Sequence, residues 1–269
     1  MTKVANDLRY ADRSARNLLD VVIPDTAVPP PLVVFIHGGA FRMGDKTDSL
    51  RERQALIDAG FAVASINYRY STQAIWPAQL DDLRDALSFL RSKAAELGYD
   101  GTRVASFGPS AGGHLSAVCG IAFSSDPALR LNASVVWYPP VDFPSMDADM
   151  DASGVERATG RNDAPGSPES VLVGEIVATN PERARSASPV TLLDNLPAGT
   201  PLPAFLIMHG ARDAYIGAGQ SRKLHAALAA FGTASRLELD ILPEGTHGGG
   251  DFGKPEALSR VVTFLRDTL

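Results

Sequence analysis

The chain has 269 residues, of which 45% are hydrophobic and 21% charged, with a formal net charge of −6 and a pI near 5.4. This globular composition excludes a largely disordered chain and predicts one domain. Because a net negative surface repels phosphate groups, nucleic acid is not an expected partner.

The cysteine content and the hydropathy pattern bear on the cellular compartment and on membrane association. The only cysteine, Cys119, excludes an internal disulfide, and its apolar surroundings predict a small buried side chain without a redox role. No secretory apolar region and no run of ~20 apolar residues is present. We therefore expect a cytoplasmic protein, monomeric or homodimeric, with no membrane partner.

Short apolar runs alternate with longer amphipathic stretches along the chain. The runs predict strands at residues 18–23, 32–37, 61–67, 103–107, 133–138, 204–209 and 236–242. The stretches predict helices at residues 49–59, 77–97, 111–123, 220–231 and 255–269. This alternation predicts an α/β fold, with a mostly parallel central sheet flanked by helices on both faces. The runs LVVFIH and AFLIMHG are apolar throughout, which predicts central strands.

The helix that begins at Pro77 has the clearest pattern. Proline suits the first turn of a helix, and Gly98 suits a left-handed C-terminal cap. One apolar stripe should cover the sheet, because its members repeat at three and four residues: Leu80, Leu83, Leu87, Leu90, Ala94 and Leu97.

The alternation breaks down between Pro139 and Pro203, where Pro, Gly, Asp and Ser are frequent. The stretch is too long for a plain loop and contains one predicted helix near residues 167–177. We interpret residues 141–200 as a small cap-like insertion over the active site; a surface excursion without a function is the alternative.

A G-x-S-x-G motif, formed by Gly108, Ser110 and Gly112, lies between a predicted strand and a predicted helix. A nucleophilic serine on a sharp turn needs small neighbours and a following helix, so this context makes Ser110 the candidate nucleophile. The helix N-terminus also favours the negative charge that develops during attack.

The segment HGGAF follows the strand at residues 32–37 and can bend so that several amide hydrogens point at one spot. We predict an oxyanion hole from the amides of Gly38, Gly39, Ala40 and Ala111. A glycine turn with only a packing role is the alternative.

A serine nucleophile needs a base, and the chain contains five histidines. Four have a predicted structural role, because they lie in the oxyanion turn, in two helices and at a strand end: His37, His114, His225 and His209. The fifth, His247 in PEGTHGGG, lies in a glycine-rich loop between the last strand and the last helix, and is the predicted base.

The base needs an acid that orients its ring and stabilises its charge. Asp213 in HGARDAY directly follows a strand and is the predicted partner of His247. Asp194, Asp240 and Glu244 are rivals, of which Glu244 is the most serious. A cap or turn role for Asp213 also remains open.

The segments IHGGAF, SFGPSAGGHLSAV, HGARDAY and PEGTHGG occur in this order, and with them the chain resembles the α/β-hydrolase carboxylesterases over almost its full length. Within that superfamily it looks like the feruloyl and acetyl-xylan esterases and the neighbouring hormone-sensitive-lipase-like esterases. Two departures are Ala40, where many relatives have a third glycine, and Pro109, where the lipase-like group has Asp or Glu. Pro109 favours the feruloyl and acetyl-xylan side.

The resemblance implies a serine esterase that acts on small acyl esters with water and needs no cofactor and no metal. Relatives place apolar residues around the substrate, which here implies Phe41, Trp76, Trp137 and Tyr138; core packing is the alternative for each. The short insertion predicts an open, shallow site. An amidase of the same fold, such as an arylformamidase or small peptidase, and a catalytically inactive binding module remain as alternatives.

Overall fold

A computed structural model describes residues 1–269 and contains eight strands in one sheet. The strands are β1 (Lys3–Arg9), β2 (Leu18–Ile23), β3 (Pro31–Ile36), β4 (Ala62–Ile66), β5 (Asp100–Pro109), β6 (Ala133–Trp137), β7 (Ala204–Gly210) and β8 (Leu237–Leu242). Their order across the sheet is β1-β2-β4-β3-β5-β6-β7-β8.

Nine α-helices accompany the sheet. They are α1 (Leu50–Asp58), α2 (Ala78–Leu97), α3 (Ala111–Ala122), α4 (Met146–Ser153), α5 (Pro168–Val173), α6 (Pro181–Arg185), α7 (Pro189–Asp194), α8 (Gly219–Phe231) and α9 (Pro255–Thr268). Two short 3₁₀ helices span Phe143–Ser145 and Gly250–Gly253. None of the helices is both long enough and apolar enough to cross a lipid bilayer.

The direction of the strands decides where the loops meet. Strands β3 to β8 run parallel to one another, whereas β1 and β2 form an antiparallel edge beside β4. The carboxyl ends of parallel strands lie at the same edge of a sheet, and ligand sites of α/β folds lie there. The loops after β3, β5, β7 and β8 therefore converge at one edge.

Helices cover both faces of the sheet, as the sequence pattern predicted. On one face, α2 and α3 pack on β3 and β4, and Leu83, Leu87, Leu90 and Ala94 of the predicted stripe are buried there. On the opposite face, α1 and α9 pack on β3, β5 and β6. Helix α8 covers β7 and β8 at the other end of the sheet. Alternate residues of the central strands therefore enter different cores.

Strand β1 was not predicted. Its sequence KVANDLR is largely exposed and polar, and a bulge between Ala5 and Leu8 interrupts its pairing with β2. An edge strand contacts the sheet on one side only, so it needs no apolar alternation that the sequence would reveal.

Strand β7 is apolar throughout, as predicted, but the expectation that it lies at the centre of the sheet was wrong. It is the second strand from the β8 edge. Every residue of β7 is nevertheless buried, because helices cover both of its faces and β8 closes its side.

The segment between β6 and β7 contains more regular structure than the one helix expected. Four short helices, α4 to α7, and the 3₁₀ helix at Phe143–Ser145 occupy it. The predicted helix is α5, which is shorter than expected and begins after Ser167, whose side chain caps the amide of Ser170.

Candidate active site

Ser110 occupies the sharp turn between β5 and α3. Its backbone has φ 55° and ψ −122°, a combination that costs free energy for a residue with a side chain. The turn requires glycine at both flanking positions. A Cβ atom on Gly112 would lie 2.0 Å from the carbonyl oxygen of Ile36, and a Cβ atom on Gly108 would lie 2.3 Å from the backbone of Gly112. The chain therefore holds the Ser110 hydroxyl at the sheet edge through a strained turn that excludes larger residues.

His247 lies in the loop after β8 and approaches Ser110 directly. Its Nε2 atom is 2.9 Å from Ser110 Oγ, and its side chain is 19% exposed. The ring packs against Tyr138 and Tyr215, with centroid distances of 4.6 and 5.1 Å. An imidazole at this distance can take the proton of the hydroxyl.

Asp213 lies in the loop after β7, on the other side of the imidazole. One carboxylate oxygen, Oδ2, is 2.7 Å from His247 Nδ1. The other, Oδ1, accepts hydrogen bonds from the amides of Tyr215 and Ile216 at 2.9 and 3.0 Å. Burial acts to raise the pKa of Asp213, but hydrogen bonds and charge from His209 and His247 hold it below its usual range. The carboxylate stays ionised and fixes the ring orientation.

Backbone hydrogen bonds join the loops that carry these two residues. The amide of Ala211 donates to the Leu242 carbonyl at 2.8 Å, and the amide of Arg212 donates to the Gly245 carbonyl at 2.9 Å. The loop after β7 is thus tied to the loop after β8, which places Asp213 beside His247.

The rival acids lie elsewhere. Glu244 forms an exposed ion pair with Arg212 at 2.7 Å, Asp240 pairs with Arg260 at 2.8 Å, and Asp194 is exposed at the end of α7. None of the three contacts His247.

Two of the other histidines, His114 and His209, have structural contacts. His114 is fully buried in α3, where its Nδ1 lies 3.0 Å from the Pro140 carbonyl and burial lowers its pKa to about 4. His209 is held between Ser221 Oγ and the Ile216 carbonyl, at 2.7 and 2.9 Å. It therefore supports the turn that follows β7, as the sequence predicted.

The segment after β3 lies beside the Ser110 turn. A Cβ added at Gly38 would lie 3.6 Å from Ser110 Cβ, so this turn and the Ser110 turn are in contact. The amides of Gly38, Gly39 and Ala40 donate to no protein acceptor. Ala111 is the first residue of α3, so its amide has no carbonyl one turn earlier. The four amides predicted for an oxyanion hole therefore lack a protein acceptor.

Ala40 adopts the left-handed conformation with φ 54°, and the same holds for Phe41 with φ 61°. For an alanine this conformation costs roughly 1 kcal/mol that a glycine avoids. Alanine in place of a third glycine at position 40 therefore adds a small backbone strain close to Ser110. It keeps the backbone amide that a glycine would provide.

A cavity of about 410 Å³ opens at the Ser110 hydroxyl and the His247 ring. Phe41, Ala40 and Ala111 form its base, and one side wall comes from the insertion, through residues 159–162 and 164–169. The insertion thus shapes the space in front of Ser110.

Of the four aromatic residues proposed for the pocket, only Phe41 lines the cavity. Trp137 lies on the other face of the sheet, where it packs on Phe107 and Phe252 at 5.0 and 4.9 Å. Trp76 does not line the cavity, and its indole Nε1 donates a hydrogen bond to the Ser186 carbonyl. The ring of Tyr138 packs against the ring of His247.

Several cavity residues were not anticipated from the sequence. Tyr215 and Ile216 line the cavity beside His247, and their position directly after Asp213 was a usable signal. Arg42, Arg161 and Glu169 are charged residues of the cavity wall. No motif in the sequence links the last two to Ser110: Arg161 lies outside the helices of the insertion, and Glu169 lies in the first turn of α5.

Chemically, the arrangement joins a hydroxyl, a base and an ionised acid in one line, beside free amide donors and an accessible cavity. Such a site can form and break an acyl bond to the hydroxyl oxygen. No group of three or more His, Cys, Asp or Glu side chains is arranged to hold a metal ion.

Comparisons with known proteins show what the chain is similar to. Esterase LipQ of Mycobacterium tuberculosis (strain ATCC 25618 / H37Rv) is 27% identical over 255 residues, which cover 90% of this chain and 56% of LipQ. Esterase LipC of the same strain is 30% identical over 230 residues, which cover 82% of this chain and 53% of LipC. The chain thus spans about half the length of these relatives.

A solved structure described as a truncated form of a carbohydrate esterase from gut microbiota matches with a TM-score of 0.85 and 26% identity, and the match covers 99% of this chain and 96% of that one. The family model BD-FAE matches residues 19–228, which include Ser110 and Asp213. The sheet order, the nine helices and these matches agree on the α/β-hydrolase fold. The chain therefore belongs to the BD-FAE family.

Proposed function

We propose that this protein is a serine esterase that hydrolyses esters of small carboxylic acids through an acyl-serine intermediate. The observation that carries the proposal is the line of hydrogen-bonding atoms from Ser110 Oγ through His247 to Asp213, with distances of 2.9 and 2.7 Å, at the base of a cavity. The names of LipQ and LipC, both esterases, favour esters over amides as substrates.

The proposed reaction begins when Ser110 Oγ attacks the ester carbonyl carbon while His247 Nε2 takes the hydroxyl proton. The carbonyl oxygen becomes an oxyanion that the amides of Gly39, Ala40 and Ala111 stabilise. The ester C–O bond then breaks, and His247 gives its proton to the departing alcohol. Water, activated by the same imidazole, releases the acid and restores the serine.

Asp213 supports both halves of this reaction. Its carboxylate, fixed by two backbone amides, holds the His247 ring with Nδ1 protonated and Nε2 directed at Ser110. It also stabilises the imidazolium that forms after proton transfer. The ionised state that its lowered pKa implies is the state this role requires.

The test combines a covalent probe with a substrate panel. A fluorophosphonate should label the intact protein and fail to label Ser110→Ala, with both proteins folded by circular dichroism. Activity on p-nitrophenyl acetate should exceed activity on N-formylkynurenine and on an aminoacyl anilide. A protein that neither reacts with the probe nor cleaves any of the three would be a binding module, and a preference for an amide would make it an amidase.

A further inference from the structure

The loop between β1 and β2 places an arginine, Arg16, beside the oxyanion turn, the segment of residues 37–44 that follows β3. Its Nη2 atom lies 3.1 Å from the Gly44 carbonyl oxygen and 3.4 Å from His37 Nε2. Its Nε atom donates to the Tyr68 carbonyl at 2.9 Å. The antiparallel edge of the sheet, which has no residue in the cavity, therefore contacts the oxyanion turn through this side chain.

Packing and hydrogen bonds fix the position of Arg16. The guanidinium carbon lies 3.7 Å from the centroid of the Tyr70 ring, a distance at which a cation is attracted to the aromatic face. The next residue, Asn17, donates to the Tyr10 hydroxyl at 3.0 Å, and that hydroxyl donates to the Asn67 carbonyl at 2.6 Å. The loop that carries Arg16 is therefore tied to the end of β4.

The contact with Arg16 selects one tautomer of the His37 ring. The ring is buried, stacks on Tyr68 with a centroid distance of 4.4 Å, and has its Nδ1 atom 2.6 Å from the Gly38 carbonyl oxygen. Burial lowers the pKa of His37 to about 4, and the charge of Arg16 acts in the same direction, so the ring is neutral at pH 7. A guanidinium has hydrogen-bond donors only, so Nε2 accepts from it and the ring proton is on Nδ1. Nδ1 therefore donates to the Gly38 carbonyl.

The Gly38 carbonyl sets the direction of the amide that follows it. The peptide bond between Gly38 and Gly39 is trans, so this carbonyl and the Gly39 amide point in opposite directions. Because the carbonyl is held at the His37 ring, the amide is directed away from the ring, and it has no protein acceptor. Gly44 closes the space beside the peptide, since a Cβ atom there would lie 2.5 Å from His37 Nδ1 and 2.6 Å from the Gly38 oxygen. The peptide is therefore held in one orientation.

We propose that Arg16 is a positioning residue for the oxyanion turn. By donating to Nε2 it keeps His37 in the tautomer that holds the Gly38 carbonyl, and it thereby keeps the Gly39 amide oriented for the oxyanion. This proposal rests on the proposed esterase function. Arg16 does not line the cavity, so it acts through His37 and Gly44 and not on the substrate. It also precedes residue 19, where the match to the BD-FAE family model begins.

Kinetics of Arg16→Met, which removes the donors and the charge, give the first readout. For p-nitrophenyl acetate, kcat should fall by about 10- to 100-fold, because the misplaced amide stabilises the oxyanion less. KM should change by less than about threefold, since the amide acts mainly on the transition state. The matched control is Arg13→Met, in the same loop, which removes an ion pair with Asp85 and should keep the wild-type values. Wild-type kcat in Arg16→Met would overturn the proposal.

A double-mutant cycle with His37→Asn tests whether Arg16 acts through the imidazole. The side-chain amide nitrogen of asparagine replaces Nδ1 as a donor to the Gly38 carbonyl, but asparagine has no tautomers and no second ring nitrogen for Arg16. In this background Arg16→Met should lower kcat by less than about threefold, the remainder that acts through Gly44. An equal loss in both backgrounds would mean that His37 does not transmit the effect. Thermal unfolding establishes that each variant is folded.

The ¹⁵N chemical shifts of the His37 ring supply a readout that a general loosening of the fold would not change. They separate a protonated ring nitrogen from an unprotonated one, and the His37 signals are those that His37→Asn lacks. At pH 7 the wild type should show Nδ1 protonated and Nε2 unprotonated. In Arg16→Met the two shifts should move towards each other, because the tautomer with the proton on Nε2 becomes populated. Arg13→Met should keep the wild-type shifts.

Two spectroscopic outcomes would contradict the role of Arg16 while leaving the esterase proposal intact. They are a wild-type ring with the proton on Nε2, and ring shifts in Arg16→Met that equal those of the wild type. Failure of the esterase proposal looks different, because then the wild type hydrolyses none of the esters and the fluorophosphonate does not react with Ser110. The ring shifts do not depend on turnover, so they report on Arg16 in either case.

Discussion

Ser110, His247 and Asp213 each depend on a different kind of local support. The serine is held by a strained turn, the histidine by packing between two tyrosine rings, and the aspartate by two backbone amides. Under the proposed mechanism the two hydrogen bonds between them act in series, so removal of one member should impair the contribution of the other two.

For His247→Ala we expect turnover of p-nitrophenyl acetate to fall by at least ~10³-fold, because no other histidine is placed to take the Ser110 proton. The assay is steady-state hydrolysis, with circular dichroism as the check that the variant folds. His225→Ala, on the partly exposed surface of α8, is the matched control and should keep its activity. Near-normal turnover in His247→Ala would assign the base to another residue.

The raised pKa of Glu169 predicts a pH-dependent cost to stability. Between its ordinary pKa of 4.5 and its folded value of about 7, the unfolded chain loses the proton that the folded protein keeps. The free energy of unfolding therefore falls as the pH rises through this range, and the loss is complete above about pH 7. Its upper bound is about 3 kcal/mol, since one pKa unit corresponds to about 1.4 kcal/mol.

Urea denaturation at pH 5 and pH 8 measures this cost. The side chain in Glu169→Gln cannot ionise. The free energy of unfolding of this variant, relative to that of the wild type, should therefore be higher at pH 8 than at pH 5 by about 1 to 3 kcal/mol. Glu182→Gln, a change of an exposed glutamate on α6, should show no such difference. An unchanged difference for Glu169→Gln would mean that the carboxyl is ionised in the folded protein at both pH values.

At the scale of secondary-structure elements, the site depends on how closely three segments approach. The β3 end, the Ser110 turn and the start of α3 contact one another through backbone atoms, so the distances leave no room for side chains at Gly108 and Gly112. This contact also brings the Gly38 turn against Ser110. A change in any of the three segments should therefore move the nucleophile relative to the amide donors.

Gly112→Ala should reduce both stability and activity, because its Cβ would lie 2.0 Å from the Ile36 carbonyl oxygen. We expect the free energy of unfolding to fall by several kcal/mol, as in other substitutions that overpack a rigid backbone contact. Turnover should fall by at least ~10²-fold. Gly253→Ala has no atom within 4 Å of the added Cβ and should behave like the wild type. Wild-type activity in Gly112→Ala would show that the turn can relax.

The α2 stripe supports the sheet from one face, and Leu87 at its centre is 2% exposed. Leu87→Ala should lower the free energy of unfolding by about 2 to 5 kcal/mol, because the helix and the sheet cannot close the cavity completely. Ser88→Ala, next to it on the exposed side of α2, should change stability by less than about 0.5 kcal/mol. A loss in Leu87→Ala below about 1 kcal/mol, measured by urea denaturation, would contradict the packing of α2 on the sheet.

At the scale of the whole molecule, the insertion between β6 and β7 forms one wall of the cavity in front of Ser110. Residues 159–162 and 164–169 of this insertion form a wall of the cavity, and the cavity volume of about 410 Å³ suits one small ligand. The insertion also packs on Trp76, which is buried. The backbone amide of Trp76 donates to the Leu172 carbonyl, and its indole Nε1 donates to the Ser186 carbonyl. It therefore belongs to the packed structure as well as to the cavity.

The cavity predicts a preference for short acyl chains. The value of kcat/KM for p-nitrophenyl esters should be highest for acetate or butyrate and should fall by at least ~10-fold towards palmitate, whose chain would extend out of the cavity. Measurements below the critical micelle concentration of each ester avoid an effect of aggregation. A value that rises with chain length would mean that the site extends beyond this cavity.

Much of this protein is determined by local sequence. Strands buried on both faces and an amphipathic helix leave periodic apolar patterns, so the α/β-hydrolase architecture was predictable and is confirmed. The Ser110 turn was predictable for a similar reason, because close backbone contact admits only glycine at Gly108 and Gly112. The small number of histidines, together with the glycine-rich loop around His247, was enough to make that residue a definite candidate for the base.

Other features depend on which groups meet in space. Glu244 is only three residues from His247, yet its carboxylate points to Arg212, and Asp213 reaches the ring from a separate loop. Trp137 enters the core beneath α9 because successive residues of a strand point to opposite faces of the sheet, and the apolar run of β6 does not reveal which face meets the cavity. Glu169 lies in a helix that the sequence predicted, but no motif or spacing links that helix to Ser110, so only tertiary packing places this residue at the cavity.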